Sequence, residues 1–313
     1  MQNDLLISVV IPVFNEEESL KKLYSELFRI LEPFERWEII FIDDGSDDNS
    51  YSVLMDIADE NSRIVVIKFL KNFGKADALS EGFKHSKGDI IITLDADLQD
   101  DPSEIPNLIE KIQEGWDLVS GWKKNRQDPL SKRIPSRLFN VVTRLFTGLK
   151  IHDFNCGLKA YRRKVINAVN IYGGLHRYIP AMAHQNGFSV TEIEVHHRQR
   201  EFGQSKFSGN RFFHGFFDLL TMLFTSKYFN RPLHFFGFIG LILFMSGLFV
   251  SIYLTIGWFQ GIWIGNRPIF FLGILLLIMG IQFFSIGLLG ELFIKNTAHS
   301  EKKIHSVYTS HQD

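Results

Sequence analysis

The first part of the chain alternates short apolar runs with segments in which apolar residues recur at helical spacing. The apolar runs predict β-strands at Leu5–Val13, Trp37–Ile42, Ile64–Phe69, Ile90–Leu94 and Asp117–Ser120. The helical spacing predicts helices at Ser19–Leu31, Ser50–Asn61, Ala76–His85 and Ser103–Glu114. Strand and helix alternate as in βαβ units, which predicts an α/β fold with a mostly parallel, doubly wound sheet.

The pattern changes near Pro232, where charged residues disappear. No Asp, Glu, Lys or Arg occurs from Pro232 to Asn266, and the stretch Pro268–Gly290 is again free of charge. Each stretch supplies the roughly 20 apolar residues that a bilayer-spanning helix needs. This predicts a transmembrane hairpin with spans near Phe235–Gly257 and Ile269–Gly290. A buried helical hairpin of a soluble protein is the alternative.

Basic residues flank this pair of spans but are nearly absent between them. They are Lys206, Arg211, Lys227 and Arg231 before the first span and Lys295, Lys302 and Lys303 after the second. Only Arg267 lies in the link, so the positive-inside rule predicts a multi-pass protein of the cell (inner) membrane with both termini in the cytosol. Trp258 and Trp263 in the link suit an interfacial aromatic belt.

These patterns divide the chain into four parts. We expect a cytosolic α/β domain at residues 1–208, a juxtamembrane region at 209–232, the two spans within 233–292 and a cytosolic tail at 293–313. One helical face of the juxtamembrane region carries Phe212, Phe216, Leu219 and Leu223. This spacing fits an amphipathic helix at the membrane interface, or else a core helix of the soluble domain.

Composition narrows the function classes. The chain has 313 residues and a net charge of −1, so its overall field gives no indication of nucleic-acid binding. Its one cysteine, Cys156, excludes a disulfide framework. Because neither predicted span contains a charged residue, a channel or pump is disfavoured. Glycines recur at intervals of seven in both spans, which favours close helix packing within the hairpin or in a homo-oligomer.

The most informative stretch is GDIIITLDADLQDDPSEIP, in which a buried strand ends in acidic residues. Asp95 and Asp97 are two positions apart, so on an extended chain both carboxylates lie on one side, and Gln99 continues the alternation. Ligands of open α/β sheets bind beyond the carboxyl ends of the strands. Oxygen ligands at such an edge suit Mg²⁺ or Mn²⁺ bound to phosphate oxygens. An acidic loop that caps the next helix is the alternative.

Two further loops are predicted at the same edge of the sheet. Asp43 and Asp44 follow the second strand, and Pro12–Glu16 ends the first. Asp44 can accept a hydrogen bond from a ribose or a base, or it can cap a turn. The chain has no phosphate-binding GxGxxG or GxxxxGK(S/T) motif, so a nucleoside diphosphate would need the metal ion to neutralise it. Lys75 is either a phosphate contact or a solvated lysine.

Four segments, IPVFNEEES, FIDDGSDDNS, NFGKADAL and LDADLQDDPSEIP, resemble in this order the family 2 glycosyltransferases. Within that family the chain is most similar to the dolichol-phosphate mannose synthase and bactoprenol glucosyltransferase branch. The resemblance implies a Rossmann-like GT-A catalytic domain in residues 1–208. It also implies a nucleoside-diphosphate sugar donor, of the UDP-glucose or GDP-mannose type, and a polyprenyl phosphate acceptor. The paired spans match the membrane-anchored members of the family.

The resemblance also implies roles for individual residues. The nucleoside is held by Pro12, Phe14, Glu16, Ile42 and Asp44. The diphosphate and the metal ion are held by Asp95, Ala96, Asp97 and Gln99, with Asp97 and Gln99 as the expected direct metal ligands. In the later segment RQREFGQSKFS, Arg200 and Lys206 would close over the donor phosphates. Attraction of these two basic residues to anionic lipid is the alternative.

Further matching positions concern catalysis and the acceptor. Lys123 stands where the family usually has an Arg, and a lysine offers a point charge in place of a bidentate fork. Arg133 and Arg137, with Lys132, match basic residues that receive the lipid phosphate, although a solvated basic helix face has the same pattern. Asp153, in DFNCGLKAYRR, matches a catalytic or acceptor-orienting Asp, or else is a strand-edge Asp satisfied by the backbone.

The combined expectation is an inverting transfer of one sugar onto a polyprenyl phosphate at the cytosolic membrane face. Three alternatives stay open. A processive polysaccharide synthase is disfavoured because the chain lacks a Gln-x-x-Arg-Trp segment and further spans. A transferase of a modified sugar to another lipid carrier, and a non-catalytic nucleotide-sugar-binding membrane protein, are the other two.

Overall fold

The computed structural model describes residues 5–124, 136, 140–145, 147–169, 171, 174–199 and 232–297. The chain divides into two compact units, Met1–Met222 and Leu223–Asp313. The strands of the first unit are β1 (Ile7–Val13), β2 (Trp37–Asp43), β3 (Ile64–Lys68), β4 (Ile90–Thr93), β5 (Leu118–Trp122), β6 (Lys159–Arg162) and β7 (Val190–Glu194). Its helices include α1 (Glu17–Leu31), α2 (Ser50–Glu60), α3 (Lys75–His85), α4 (Ile105–Gln113), α5 (Arg163–Ala168) and α6 (Ile179–Gln185). Single 3₁₀ turns occur at Pro102–Glu104 and Leu175–Tyr178.

The strands form one sheet in the order β3-β2-β1-β4-β6-β5-β7. Neighbouring strands are parallel except where β6 pairs with β4 and β5. The predicted mostly parallel α/β sheet is therefore confirmed. Strand β6 is not among the strands expected from the sequence, because its segment KAYR has two charged residues and no apolar run.

Alternate side chains of the sheet enter two separate cores. On one face Val9 and Ile92 pack in a cluster with residues of α1, α2 and α4. On the other face Val10 and Ile91 pack in a cluster with residues of α3, α5 and α6. The apolar run Ile90–Ile92 serves both cores, which explains why it shows no alternation. The predicted doubly wound arrangement is thus confirmed.

Helix α1 shows how the sequence pattern produces the packing. Its four core-facing leucines, each 0% exposed, are Leu20, Leu23, Leu27 and Leu31. Burying one such side chain contributes about 1.5–3 kcal/mol. This helix follows β1 directly, so its packing fixes the short β1–α1 loop beyond the carboxyl edge of the sheet.

The described part of the second unit consists of two long apolar helices, α7 (Pro232–Phe259) and α8 (Pro268–Thr297). Each contains a segment long and apolar enough to cross a membrane, namely Pro232–Phe259 with a mean hydropathy of 2.3 and Pro268–Phe293 with a mean hydropathy of 2.5. Only 17% and 11% of these segments is buried, so most of their apolar surface faces outward, as suits lipid better than water. A Cβ built on Gly240 would lie 2.7 Å from the Gly280 carbonyl oxygen, which shows that glycines let the two helices approach closely.

Candidate active site

The carboxyl ends of three neighbouring strands meet at one edge of the sheet. Val13 of β1 pairs in register with Asp43 of β2, and Val10 of β1 pairs with Thr93 of β4. The N–H of Asp44 donates to the Val13 carbonyl oxygen at 2.8 Å. The three loops expected to line a crevice therefore begin side by side.

The loops after β1 and β2 carry the residues predicted to hold the nucleoside. Those that are partly exposed are Pro12, Phe14 and Glu16. Ile42 is 0% exposed, so its side chain belongs to the core and is not available to a ligand. The N–H of Asn15 donates to the Ser46 hydroxyl at 2.9 Å, which ties the two loops together. Asn15 has a φ of 52°, a left-handed conformation that Asn tolerates.

Asp44 also anchors the loop between β3 and α3, which is not one of the three crevice loops. It is 4% exposed, and its carboxylate accepts hydrogen bonds from the N–H groups of Phe73 and Gly74 at 2.7 and 2.9 Å. Burial raises the pKa of Asp44, and the two N–H groups oppose that shift. The turn-fixing role considered for Asp44 is therefore present, and its contact with a nucleoside stays a prediction.

Side-chain exposure alternates along the acidic segment after β4, but the chain turns at Ala96 and Asp97 and does not stay extended as the sequence predicted. Ala96 and Leu98 are buried, at 4% and 1% exposed. The residues that alternate with them, Asp95, Asp97 and Gln99, stay partly exposed. The Ser19 hydroxyl of α1 donates to the Ala96 carbonyl oxygen at 2.7 Å and fixes the segment. Leu98 has a φ of 60°, a conformation that bulky residues rarely adopt and that clusters at ligand sites.

A third carboxylate, Asp100, completes an acid cluster with Asp95 and Asp97. Asp100 is 1% exposed, and its Oδ1 atom lies 2.6 Å from the Lys123 Nζ atom. Burial, with the negative charges of Asp95 and Asp100, raises the pKa of Asp97 to about 6. Burial alone would raise the pKa of Asp95 as well, but the charges of its ion-pair partner Lys75 and of Lys123 lower it to about 2. The lysines thus compensate the negative charge only in part.

The donor set of this cluster fits a hard divalent cation. Among the described residues, no group of three or more His, Cys, Asp or Glu side chains forms a ready-made metal site. The predicted set supplies two carboxylates and an amide oxygen, so phosphate oxygens and water would complete the coordination. The raised pKa of Asp97 supports the fit, because a cation beside it would relieve the repulsion from Asp95 and Asp100. Mg²⁺ and Mn²⁺ both prefer such oxygen ligands.

Two residues predicted to act in catalysis have partners within the protein. Lys123 forms an ion pair with Asp100, and this charge raises the pKa of Lys123 although burial opposes the shift. Asp153 is 2% exposed, and its carboxylate accepts the N–H of Asn155 at 3.1 Å. That contact agrees with the alternative in which Asp153 is satisfied by the backbone. The catalytic roles of both residues stay predictions.

Four predicted site residues lie outside the described part of the chain. They are Arg133, Arg137, Arg200 and Lys206. The predicted juxtamembrane helix, apart from Pro232, and the tail from residue 298 onwards also lie outside it. These assignments stay predictions.

The structure also places beside Lys75 three basic side chains to which the sequence analysis gave no role. A cleft, named here the basic cleft, is lined among others by Lys75, Thr93, Lys159, His176 and Arg177. Lys159 begins β6, whereas the His–Arg pair lies in the 3₁₀ turn before α6. The only signal in the sequence is a basic pair within the apolar segment LHRYIPAMA, whose flanking side chains Leu175 and Tyr178 are buried.

Comparison with known proteins identifies relatives of most of the chain. Residues 8–169 match the profile described as Glycosyl transferase family 2. The undecaprenyl-phosphate 4-deoxy-4-formamido-L-arabinose transferase of Enterobacter sp. (strain 638) is 39% identical over 289 residues. That alignment covers 91% of this chain and 87% of the relative, so it includes the apolar helices as well as the sheet.

Solved structures with the same sheet come from Mycobacterium tuberculosis. Its glucosyl-3-phosphoglycerate synthase with Mn²⁺, UDP and phosphoglyceric acid is 19% identical, with a TM-score of 0.57 over 70% of this chain and 79% of that one. The same enzyme with Mn²⁺, UDP-glucose and phosphoglyceric acid is 18% identical, with a TM-score of 0.54 over 70% and 80%. At this identity the likeness establishes the fold, and it confirms the expected GT-A architecture.

Proposed function

The chain belongs to glycosyl transferase family 2, and we propose that it moves a single sugar from a nucleoside-diphosphate sugar to a polyprenyl phosphate. The observation that supports this most strongly is the acid segment Asp95–Gln99 where β1, β2 and β4 end together. The relative's printed name, an undecaprenyl-phosphate transferase, supports the lipid phosphate as acceptor.

The donor would lie across the three loops of the crevice. The nucleoside is assigned to Pro12, Phe14, Glu16, Asp44 and the backbone at Ile42. Asp95, Asp97 and Gln99 would hold Mg²⁺ or Mn²⁺ against the diphosphate, with Ala96 supplying backbone. When bound, that cation offsets the charge that develops on the leaving diphosphate. Lys123, Arg200 and Lys206 would add positive charge around the same phosphates.

The nature of the nucleophile decides what the protein must supply. A phosphate monoester has a second pKa of about 6, so the acceptor is largely dianionic at neutral pH. It therefore needs positioning far more than deprotonation, and attack from the face opposite the diphosphate would invert the anomeric carbon. Arg133 and Arg137 are assigned to the acceptor phosphate. Asp153 is assigned to orientation, because its carboxylate is buried and already bonded to the Asn155 N–H.

The two apolar helices suit an enzyme whose acceptor is a lipid. We assign α7 and α8 to a membrane hairpin with the catalytic domain and both termini on the cytosolic side. The exposed apolar surface of both helices supports the membrane hairpin. The single basic residue between them, Arg267, supports the orientation. The glycines of α7 and α8 lie in the contact between these two helices. Their spacing is therefore explained by packing within the hairpin and does not require a homo-oligomer.

A modified sugar is the second candidate for the transferred group. The relative's name specifies 4-deoxy-4-formamido-L-arabinose, and its 39% identity over 91% of this chain favours a donor of that kind over plain glucose or mannose. The base of the donor, uracil or guanine, is left to experiment.

The test is a transfer assay with purified full-length protein in detergent. The protein is incubated with undecaprenyl phosphate, Mn²⁺ and each of a panel of labelled nucleotide sugars, including UDP-4-deoxy-4-formamido-L-arabinose, UDP-glucose and GDP-mannose. We expect one donor to give a product that extracts into organic solvent and releases its sugar on mild acid treatment. Binding of nucleotide sugars without any such product would instead support the non-catalytic alternative.

A further inference from the structure

We propose that Arg198 is a positioning residue that holds the end of the acid segment, so that Gln99 stays in place for the cation; this role rests on the proposed function. Arg198 follows β7 and is partly buried, with 28% of its side chain exposed. Its guanidinium group contacts two carboxylates, Asp101 just after the acid segment and Glu26 on α1. No sequence pattern signals this network, because Arg198 and Glu26 are 172 positions apart.

The contact with Asp101 is a two-bond fork. The Nη2 atom of Arg198 donates to the Asp101 Oδ1 atom at 2.7 Å, and the Nε atom donates to Oδ2 at 3.2 Å. Such paired bonds between a planar guanidinium and a carboxylate fix direction as well as distance. Asp101 is 8% exposed, and its Oδ1 atom also accepts the N–H of Ser103 at 3.0 Å. The Asp101 carboxylate is therefore held by Arg198 and by the 3₁₀ turn that follows it.

The backbone at Arg198 holds the acid segment itself. The N–H of Arg198 donates to the Gln99 carbonyl oxygen at 2.9 Å, and His197 forms an isolated antiparallel bridge with Asp100. Gln99 and Asp100 thus pair with the chain that follows β7. Because the guanidinium group of Arg198 grips the next residue, Asp101, the side chain keeps this pairing in register.

The contact with Glu26 ties the pairing to the core. The Nη1 atom of Arg198 donates to the Glu26 Oε2 atom at 2.7 Å. Leu23 and Leu27, on the same helix, are 0% exposed, so core packing fixes the helix that carries Glu26. Burial would lower the pKa of Arg198, but its hydrogen bonds to Glu26 and Asp101 raise it, so the guanidinium group stays charged.

The acid segment needs support at both of its ends. At one end the Ser19 hydroxyl holds the Ala96 carbonyl oxygen, and at the other Arg198 holds Gln99. Leu98 lies between these anchors with a φ of 60°, and such a strained backbone persists only where its surroundings hold it. Groups that hold metal ligands in place are typically worth about 10–100-fold in metal affinity or activity.

The Mn²⁺ affinity of the full-length protein in detergent, titrated with UDP present by electron paramagnetic resonance, tests the assignment. Arg198→Gln should weaken Mn²⁺ binding by about 10–100-fold, because the fork that supports Gln99 is lost. Arg198→Lys should recover part of the affinity, because it restores the charge but not the fork. Glu26→Gln leaves every predicted cation ligand in place and should give a smaller loss in the same direction.

The matched control is Arg163→Gln, at the amino end of β4. Arg163 is also partly buried, and it donates from Nε to the Gly88 carbonyl oxygen at 2.9 Å and from Nη1 to the Ser86 hydroxyl at 3.1 Å. This variant should lose thermal stability and keep the wild-type Mn²⁺ affinity. Hydrogen exchange of the metal-free protein gives a second readout. A peptide that contains Gln99 should exchange faster in Arg198→Gln and at the wild-type rate in Arg163→Gln.

These measurements separate the positioning role from the proposed function. If the wild-type protein binds UDP and Mn²⁺ with this dependence on Arg198 but forms no lipid-linked product with any donor, the proposed function fails and the positioning role stands. Equal losses of Mn²⁺ affinity in Arg198→Gln and Arg163→Gln would overturn the proposal. Unchanged Mn²⁺ affinity in a folded Arg198→Gln variant, judged by thermal unfolding, would also overturn it. Should that variant not fold, wild-type Mn²⁺ affinity in Glu26→Gln would do so.

Discussion

Replacing Gly157 by alanine tests the geometry of the acid cluster without removing any charge. Gly157 lies just before β6, and a Cβ there would lie 2.6 Å from Asp95 Cγ and 2.7 Å from Asp100 Oδ2. Ordinary van der Waals contacts of a Cβ begin at 3.4 Å. The Asp95 carboxylate must therefore move by about 0.8 Å, or β6 must shift by a similar amount.

The size of the expected loss in transfer rate follows from how firmly the carboxylates of Asp95 and Asp100 are held. Asp95 pairs with Lys75 and Asp100 pairs with Lys123, so neither can move without disturbing an ion pair. A misplacement near 1 Å at a reacting centre costs about 100-fold in rate. Overpacking itself costs about 1–3 kcal/mol of folding free energy. We expect Gly157→Ala to fold, to transfer sugar about 100-fold more slowly and to bind Mn²⁺ more weakly.

The matched control is Gly88→Ala, at the amino end of β4. A Cβ there would lie 2.5 Å from the Ser8 Oγ atom and 2.6 Å from the Ser8 N atom, so this site is also crowded, partly by backbone, but at the opposite end of the strand. Both variants should lose thermal stability, and only Gly157→Ala should lose Mn²⁺ affinity in an electron paramagnetic resonance titration. Wild-type Mn²⁺ affinity and transfer rate in Gly157→Ala would contradict this expectation, as would equal losses of Mn²⁺ affinity in both variants.

Three further predictions concern separate parts of the molecule. Asp97→Asn should lower sugar transfer by about 100-fold or more, measured by product extraction, because a metal ligand is weakened and cation stabilisation is worth several kcal/mol. Gly280→Ile should force α7 and α8 apart, since even a Cβ at this position would lie 2.6 Å from the Phe244 N atom. The variant should therefore have a lower unfolding temperature in detergent. Burial would raise the pKa of Asp117, but Lys164 and Ser189 lower it, so its stabilisation is present above the unfolded pKa of about 4 and is lost as pH falls through the folded pKa. Asp117→Asn should accordingly be less stable than wild type at pH 7 in denaturant unfolding, with the difference vanishing towards pH 2.

The fold was largely predictable because its strands carry strong local signals. Short apolar runs such as Ile90–Ile92 favour strands buried on both faces, and the four leucines of α1 define one face of that helix. Strand β6 was not predicted. It forms by pairing with β4 and β5, and the segment KAYR itself carries no signal of that pairing. Long-range pairing of a short polar strand leaves no periodic pattern for sequence analysis to detect.

The site was predictable only where its residues are close in sequence. Asp95, Asp97 and Gln99 are close neighbours in the sequence and all stay partly exposed, although the chain turns at Ala96 and Asp97 where an extended segment was expected. Asp100 lies on the buried side of the same segment, and its role depends on a lysine that β5 brings alongside it. The basic cleft combines β6 with the 3₁₀ turn before α6, so its residues meet only in the folded chain.

The most direct test of the central claim is anomalous diffraction at the manganese edge from crystals grown with Mn²⁺ and UDP. We predict one strong peak at coordination distance from the Asp97 carboxylate and the Gln99 amide oxygen, adjoining the diphosphate. Nucleotide bound in the crevice with no peak beside Asp97 would contradict it.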